Sequence, residues 1–143
     1  MASRTATAVW EGTLQEGKGS LALGSGAFEG AYSFSSRFEE GTGTNPEELL
    51  VAAHAGCFTM QLGASLGRAG FPATRIETKG TVQMQRVDEK MTITRIDLVT
   101  EAEVPGVSEE QFMELANDAK ANCIISRALA GVPEFTLEAT LKS

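Results

Sequence analysis

The sequence predicts a single α+β domain over residues 1–143, with antiparallel sheets around a long, buried central helix. Residues 1–40 contain short alternating stretches separated by glycines, a pattern typical of an antiparallel meander. Residues 46–68 begin with helix-start residues and are apolar on nearly every side, so we expect a buried helix. Residues 75–86 and 91–103 flank a polar turn and therefore predict a long hairpin.

The predicted meander consists of short strands joined by glycine-containing turns. We expect these strands over residues 4–10, 13–15, 20–23 and 31–34. Arg37 and Phe38 close the last strand, and residues 39–44 then form a flexible connection to the long helix.

The long helix has clear start and stop signals. Asn45 can cap it, Pro46 occupies the first helical position, and Glu48 completes a capping box. Gly70 and Pro72 then end it. A helix of this length spans roughly 30 Å, which is long for so small a domain.

The remaining chain predicts a hairpin, a helix, a break and a final strand. The turn of the hairpin falls at residues 87–90. Ser108 can cap the following helix, with Gln111 as its capping-box partner. Cys123 lies at a break before a short helical segment, and residues 134–141 alternate as a last strand.

Composition excludes several function classes. The formal net charge is −7 and no basic cluster is present, which argues against nucleic acid or an anionic membrane surface as a partner. Polar residues and glycines interrupt residues 49–66, so we expect no membrane span, and the N-terminus lacks a signal pattern. We therefore predict a cytoplasmic protein. The sequence contains no phosphate-binding loop and no Rossmann pattern, which argues against a nucleotide-dependent enzyme. It also lacks a Ser-His-Asp order, which argues against a serine hydrolase.

The two cysteines are the main candidates for chemistry. Cys57 lies within the long helix, where composition alone favours a small buried apolar residue. The alternative is a nucleophilic thiolate, which requires a nearby cation from elsewhere in the protein. Cys123, at the predicted helix break, has room to act as a resolving thiol. In a reducing compartment such cysteines are free or redox-active rather than a structural disulfide.

A metal site at these cysteines is not expected. His54 lies three residues before Cys57 on the same helix, which makes a metal-binding pair conceivable. A structural zinc site needs four ligands, however, and the chain has one histidine and two cysteines. We predict that His54 is a satisfied core histidine.

Several segments together resemble a known family. Residues 43–50 read Gly-Thr-Asn-Pro-Glu-Glu-Leu-Leu, Arg37-Phe38 stands before them, and Ala-Ala-His-Ala at residues 52–55 precedes Cys57-Phe58. With the Cys123 segment, these residues resemble the OsmC/Ohr family of thiol-dependent hydroperoxide reductases, and the OsmC branch more than the Ohr branch. The resemblance covers the whole chain, with further matching segments at residues 10–12, 17–19, 104–106 and 141–143.

The resemblance implies a cofactor-free peroxidase with four site residues. Cys57 would attack the peroxide as a thiolate and become a sulfenic acid, which Cys123 would resolve as a disulfide. Arg37 would hold the thiolate charged and orient the peroxide, and Glu47 would position Arg37 through a bidentate pair. A dithiol, such as a lipoyl group, would re-reduce the enzyme. The family usually has proline after the second cysteine, whereas this chain has Ile124.

The spacing of Glu47 and Cys57 predicts a dimer. They lie ten residues apart on one helix, or roughly 15 Å along its axis, so one arginine cannot easily reach both. Two copies of the helix that cross antiparallel near Ala52 would bring Glu47 of one chain level with Cys57 of the other. Small residues cluster at this point and permit close approach: Ala52, Ala53, Ala55 and Gly56. We therefore predict an intertwined, two-fold homodimer with active sites shared between chains.

Three apolar residues are candidates for the substrate pocket. Phe38, Met60 and Phe112 would favour organic hydroperoxides over hydrogen peroxide, although each is also typical of an ordinary core. Two non-catalytic alternatives stay open: a dimer that binds a small apolar ligand, and a purely structural dimer. Arg37 with Glu47 favours the enzyme, because neither alternative needs an arginine held beside a thiol.

Overall fold

The computed structural model describes all 143 residues, which form two compact units, Met1–Leu49 and Leu50–Ser143. The first unit contains β1 (Ala6–Glu11), β2 (Lys18–Leu23), β3 (Glu29–Tyr32) and α1 (Phe34–Phe38). A long helix, α2 (Pro46–Arg68), begins in the first unit and ends in the second. The second unit continues with β4 (Arg75–Val87), β5 (Lys90–Glu103), α3 (Glu109–Asn122), α4 (Ile124–Ala128) and β6 (Glu134–Leu141).

The first unit is the antiparallel meander that the sequence predicts, with strand order β1-β2-β3. Trp10 and Tyr32 pack edge to face across Gly19, with ring centroids 5.4 Å apart. A side chain at Gly19 would collide with both rings, because its Cβ would lie 2.5 Å from Tyr32 and 2.6 Å from Trp10. The predicted strand at residues 13–15 is instead a turn.

A short helix, α1, follows β3 where the sequence predicts the end of a strand. Ser33 accepts a hydrogen bond from the backbone N–H of Ser36, and the Ser36 hydroxyl accepts one from the backbone N–H of Ser33. These serines form a capping box, whose side-chain hydrogen bonds favour a helix start over a strand. Arg37 therefore projects from the last turn of a helix.

The start of α2 is confirmed, although one detail of its cap is wrong. Asn45 Oδ1 accepts the backbone N–H of Glu48 at 2.7 Å, as expected of a capping residue. The Glu48 carboxylate does not complete a capping box; it accepts a hydrogen bond from the Thr44 hydroxyl at 2.8 Å. At the other end, Gly70 has φ +91°, the left-handed conformation that ends helices.

The prediction that α2 is buried on all sides is wrong within one chain. Phe58, Leu62 and Leu66 are fully buried and join the core of the second unit. The opposite face is exposed and carries mainly small residues, which we call the α2 stripe: Ala52, Ala53, Gly56, Met60, Ala64 and Gly67. An exposed apolar stripe of this kind needs a covering surface.

Length and composition alone would allow α2 to span a membrane, contrary to the sequence prediction. An 18-residue window has a mean hydropathy of 1.4, because His54, Thr59 and Gln61 are too few to offset the apolar residues around them. The core helix of a soluble protein meets the same condition. In α2, 28% of this window is buried inside the protein.

The second sheet contains the predicted hairpin, but it is mixed rather than antiparallel. Asp88 and Glu89 connect β4 to β5 with φ values of 49° and 65°, as a two-residue primed turn requires. Strand β6 pairs with β5 in parallel. The helices α3 and α4 form the crossover that a parallel pair needs, and hairpin patterns in a sequence do not reveal such a crossover.

A polar cluster joins β5 to β6. Arg95 contacts Asp97 at 2.7 Å and Glu134 at 3.0 Å, and the Thr136 hydroxyl donates a hydrogen bond to Asp97. The hydrogen bonds from Thr136 and then from Arg95 lower the pKa of Asp97. These contacts hold the parallel register at the end of the sheet where β6 begins.

Candidate functional site

Arg37 and Glu47 form the bidentate pair that the resemblance implies. Arg37 Nη2 and Nε donate to Glu47 Oε1 at 2.7 and 2.8 Å, and Nε also lies 3.2 Å from Oε2. The Glu47 side chain is 8% exposed, whereas that of Arg37 is 40% exposed. Glu47 lies in the first turn of α2, where the helix dipole stabilises a carboxylate. A nearly buried anion therefore fixes a guanidinium whose other face is open.

The open face of Arg37 borders an aromatic cavity within the first unit. The cavity has a volume of about 380 Å³, and its lining residues include Trp10, Leu14, Tyr32, Phe34, Arg37 and Phe38. The Arg37 guanidinium lies 5.1 Å from the centre of the Phe38 ring, within range of a cation–π contact. Phe38, a predicted pocket residue, thus lines a cavity beside a cation.

The other two predicted pocket residues lie elsewhere. Met60 belongs to the α2 stripe and is 78% exposed. Phe112 on α3 is fully buried in the core of the second unit, which is the ordinary core role that the sequence also allowed. The structure therefore brings only Phe38 to the Arg37 cavity.

Cys57 and Cys123 both belong to the second unit and both are free thiols. Cys57 is partly exposed and packs against the core cluster that includes Cys123. Cys123 is fully buried at the junction of α3 and α4, as the predicted helix break implied. A reagent in solution therefore has access to Cys57 but not to Cys123.

Ile124 does not disturb the backbone around Cys123. Cys123 has φ −63° and ψ 149°, the extended conformation of a residue that precedes proline. Ile124 then occupies the first position of α4, where proline is common in helices. The chain thus adopts the conformation that a proline would impose.

Ser126, which the sequence patterns did not single out, links Cys123 to His54. The Ser126 hydroxyl lies 3.0 Å from Cys123 Sγ and 2.9 Å from His54 Nε2, and the Ser126 backbone N–H donates to the same sulfur at 3.3 Å. The contact between Cys123 and Ser126 could have been predicted from their spacing, because Cys123 is the N-cap of α4 and Ser126 is its third helical residue.

His54 is a core histidine, but it is only half satisfied. It is fully buried, and its Nδ1 atom has no hydrogen-bond partner, so the prediction of a satisfied histidine is wrong. The Phe135 ring packs against the imidazole with centroids 4.7 Å apart. Burial lowers the pKa of His54 from its ordinary value of 6.5, so the ring is neutral at neutral pH.

We expect the buried His54 to weaken the fold in mild acid. The unfolded chain binds a proton near pH 6.5, whereas the folded chain binds it only at lower pH. The free energy of unfolding should therefore fall as the pH drops from 6.5 through the lowered pKa, by up to about 1.4 kcal/mol per pH unit. Urea unfolding of wild type and His54→Gln over this range tests the effect. The variant should lose less stability in acid, and equal pH dependences would contradict the prediction.

Sequence comparison assigns the chain to one protein family. The sequence profile described as OsmC-like protein matches residues 39–138, and the chain belongs to the OsmC-like family. It is 44% identical over 135 residues to the peroxiredoxin OsmC of Escherichia coli, with 94% of this chain and 93% of that protein covered. These comparisons confirm the predicted family.

Solved structures of the family share the fold. An OsmC-like protein from Vibrio cholerae superposes with a TM-score of 0.78 at 17% identity, covering 97% of this chain and 99% of that one. An OsmC-like protein from Mycoplasma pneumoniae gives a TM-score of 0.77 at 18% identity, covering 98% and 97%. The predicted α+β architecture with two sheets and a long central helix is thereby confirmed.

Proposed function

We propose that this chain is a cysteine-based peroxidase that reduces organic hydroperoxides to alcohols. The observation that carries the proposal is the Arg37–Glu47 pair, in which a nearly buried carboxylate holds a half-exposed guanidinium at an aromatic cavity. Such an arrangement suits a reaction in which an anion and a polarised O–O bond must be oriented together. The similarity to a peroxiredoxin supports the same class of enzyme.

The proposed reaction begins at Cys57. Its thiolate attacks one peroxide oxygen, the O–O bond breaks, and the departing alkoxide takes a proton to give the alcohol. Cys57 is thereby oxidised to a sulfenic acid. The Cys123 sulfur then attacks Cys57 Sγ, a disulfide forms and water leaves. An external dithiol reduces the disulfide, and we propose a lipoyl-type group or a small dithiol for this step.

We propose that each active site is shared between two chains. Glu47 and Cys57 are ten residues apart on the continuous helix α2, or about 15 Å along its axis. An antiparallel crossing of two α2 helices near Ala52 would place the Arg37–Glu47 pair of one chain beside Cys57 of its partner. The exposed α2 stripe supports this dimer, because its small residues permit close helix approach and its apolar surface needs cover.

The cavity chemistry favours substrates with an apolar body. Aromatic rings line the space in front of Arg37, whereas hydrogen peroxide offers nothing to fill it. We propose that the organic group lies against these rings while the hydroperoxide group faces Arg37. A reducing compartment would keep both thiols ready for reaction, so we place the protein in the cytoplasm.

Subunit complementation tests the function and the shared site together. Arg37→Met and Cys57→Ser chains are refolded together, and consumption of cumene hydroperoxide with dithiothreitol is measured. Each parent dimer lacks one group at both sites, whereas a mixed dimer has one complete site. About half of the dimers are mixed, so we expect about a quarter of the wild-type activity to return.

Two outcomes would contradict the proposal. Activity no greater than the sum of the parents would show that Arg37 and Cys57 of one chain serve the same site. No consumption by the wild type would favour the alternative function, a dimer that binds a small apolar ligand in the aromatic cavity.

A further inference from the structure

A buried hydrogen-bonded network in the second unit connects the proposed resolving thiol to two side chains that have no role in the proposed reaction. It runs from Cys123 Sγ to Ser126 Oγ at 3.0 Å and on to His54 Nε2 at 2.9 Å. Cys123 and His54 are fully buried, and Ser126 is 7% exposed. Water therefore has little access to the proton of the Cys123 thiol.

A structural role alone explains these contacts poorly. Hydrogen bonds between α2 and α4 would stabilise the packing of these helices, but a fully satisfied pair would serve better than a histidine with an unpartnered Nδ1. A neutral imidazole next to a hydroxyl that touches a thiol is instead a base within reach of an acid. In the tautomer that carries its proton on Nδ1, Nε2 is the acceptor that faces the Ser126 hydroxyl.

We propose that Ser126 transfers the proton of the Cys123 thiol to His54, so that Cys123 attacks Cys57 as a thiolate. This inference rests on the proposed peroxidase function. Ser126 touches the reacting sulfur, and His54 is the base that holds the proton and later returns it to the departing hydroxide. The Ser126 backbone N–H also donates to Cys123 Sγ, which stabilises the negative sulfur once its proton has left.

The step balances within the second unit. The thiol proton passes to Ser126 Oγ while the Ser126 hydroxyl proton passes to His54 Nε2. The Cys123–Cys57 S–S bond forms and the S–O bond of the sulfenic acid breaks. The imidazolium returns one proton to the departing hydroxide, which leaves as water. His54 lies three residues before Cys57, and residues at this spacing occupy one side of a helix.

The groups around His54 are compatible with a neutral base. Cys57 lies on the same helix, and Cys123 faces it through Ser126 from the α3–α4 junction. On β6, the Phe135 ring covers the imidazole, with the Lys120 ammonium of α3 5.4 Å from that ring's centre. Burial lowers the pKa of His54, so the imidazole is neutral at neutral pH.

A single-turnover experiment separates the two chemical steps. Reduced protein receives one equivalent of cumene hydroperoxide without a reductant, and mass spectrometry follows the Cys57 sulfenic acid and the disulfide at several pH values. The variants are Ser126→Ala, which removes the hydroxyl, and His54→Gln, which retains a hydrogen bond but cannot take the proton. Ser65→Ala, at a similarly buried serine that lies on α2 rather than α4, is the matched control.

We expect both relay variants to form the sulfenic acid at the wild-type rate and the disulfide about 10²-fold more slowly near pH 7. Above pH 6.5, where His54 is neutral, the wild-type disulfide step should vary little with pH, whereas in the variants it should rise with hydroxide concentration. Ser126→Thr restores a hydroxyl and should recover most of the rate. Ser65→Ala should match the wild type.

Wild-type rate and pH dependence of disulfide formation in folded Ser126→Ala would overturn the proposal. Equal slowing of both steps would also overturn it, because that pattern indicates general damage. If His54→Gln does not fold, Ser126→Ala with Ser126→Thr decides alone.

A second measurement does not depend on peroxide. Partly exposed Cys57 is labelled as a thionitrobenzoate mixed disulfide, and attack by Cys123 releases the coloured thiol. Ser126→Ala should slow this release about 10²-fold. An unchanged rate would overturn the relay. Absence of a sulfenic acid in the wild type with the expected slowing here would instead contradict the peroxidase function alone.

Discussion

Cys57→Ser is expected to lower hydroperoxide turnover by at least about 10³-fold, to the background rate of the dithiol alone. The serine hydroxyl cannot replace the cysteine thiolate. Sulfur can be oxidised by the peroxide to a sulfenic acid and can then form a disulfide, whereas the hydroxyl oxygen can do neither. Loss of cumene hydroperoxide with dithiothreitol measures the effect. The substitution replaces a single sulfur atom with oxygen at a partly exposed position, so we expect the variant to fold.

Cys123→Ser is the matched control for this experiment. It should retain the first oxidation and lose the disulfide, so that mass spectrometry detects a sulfenic acid at Cys57 that oxidises further with excess peroxide. Full turnover in Cys57→Ser would contradict the proposed role of Cys57 as the thiol that attacks the peroxide. Turnover in Cys57→Ser that disappears in Cys123→Ser would reverse the roles of the two thiols.

Arg37→Met is expected to lower kcat/KM for an organic hydroperoxide by about 10²- to 10³-fold, because the charge that orients the peroxide and stabilises the thiolate is lost. Glu47→Gln should cost about 10- to 100-fold, since the guanidinium keeps its charge but loses an ionised partner. Arg37→Lys should also be impaired, because an ammonium cannot reproduce the two contacts from Nε and Nη2.

Two substitutions control for changes in charge alone. Arg95→Met removes an arginine that is paired with a carboxylate in the second unit, and Glu48→Gln changes the exposed neighbour of Glu47. Both should retain most of the activity. Equal losses in Arg37→Met and Arg95→Met would show that net charge or stability, rather than the orientation of the peroxide, explains the effect.

The α2 helix shows how much of the fold the sequence could predict. Asn45, Pro46 and Gly70 are local signals, and they predicted its bounds correctly because capping depends on neighbouring residues. The exposure of the α2 stripe could not be predicted in this way. Apolar and small residues look the same in sequence whether they face a core or a partner chain.

Local sequence patterns could not predict two features of the fold: the crossover between β5 and β6, and the helix α1. A strand of alternating residues pairs equally well in either direction, and the route of the connecting chain decides between them. At α1, the alternation up to Phe34 predicted a strand, while the side-chain hydrogen bonds of two serines favoured a helix.

The sequence by itself determined the family and the candidate site residues: two thiols, an arginine and a carboxylate in an order that resembles the family. The tertiary structure decided what surrounds them. It paired Arg37 with Glu47 at a cavity, buried Cys123 while leaving Cys57 partly exposed, and joined His54 to Ser126 across 72 residues of chain. Residue types determine which reactions are available. Contacts between distant segments of the chain form only when folding brings those segments together, and these contacts determine which groups can exchange a proton.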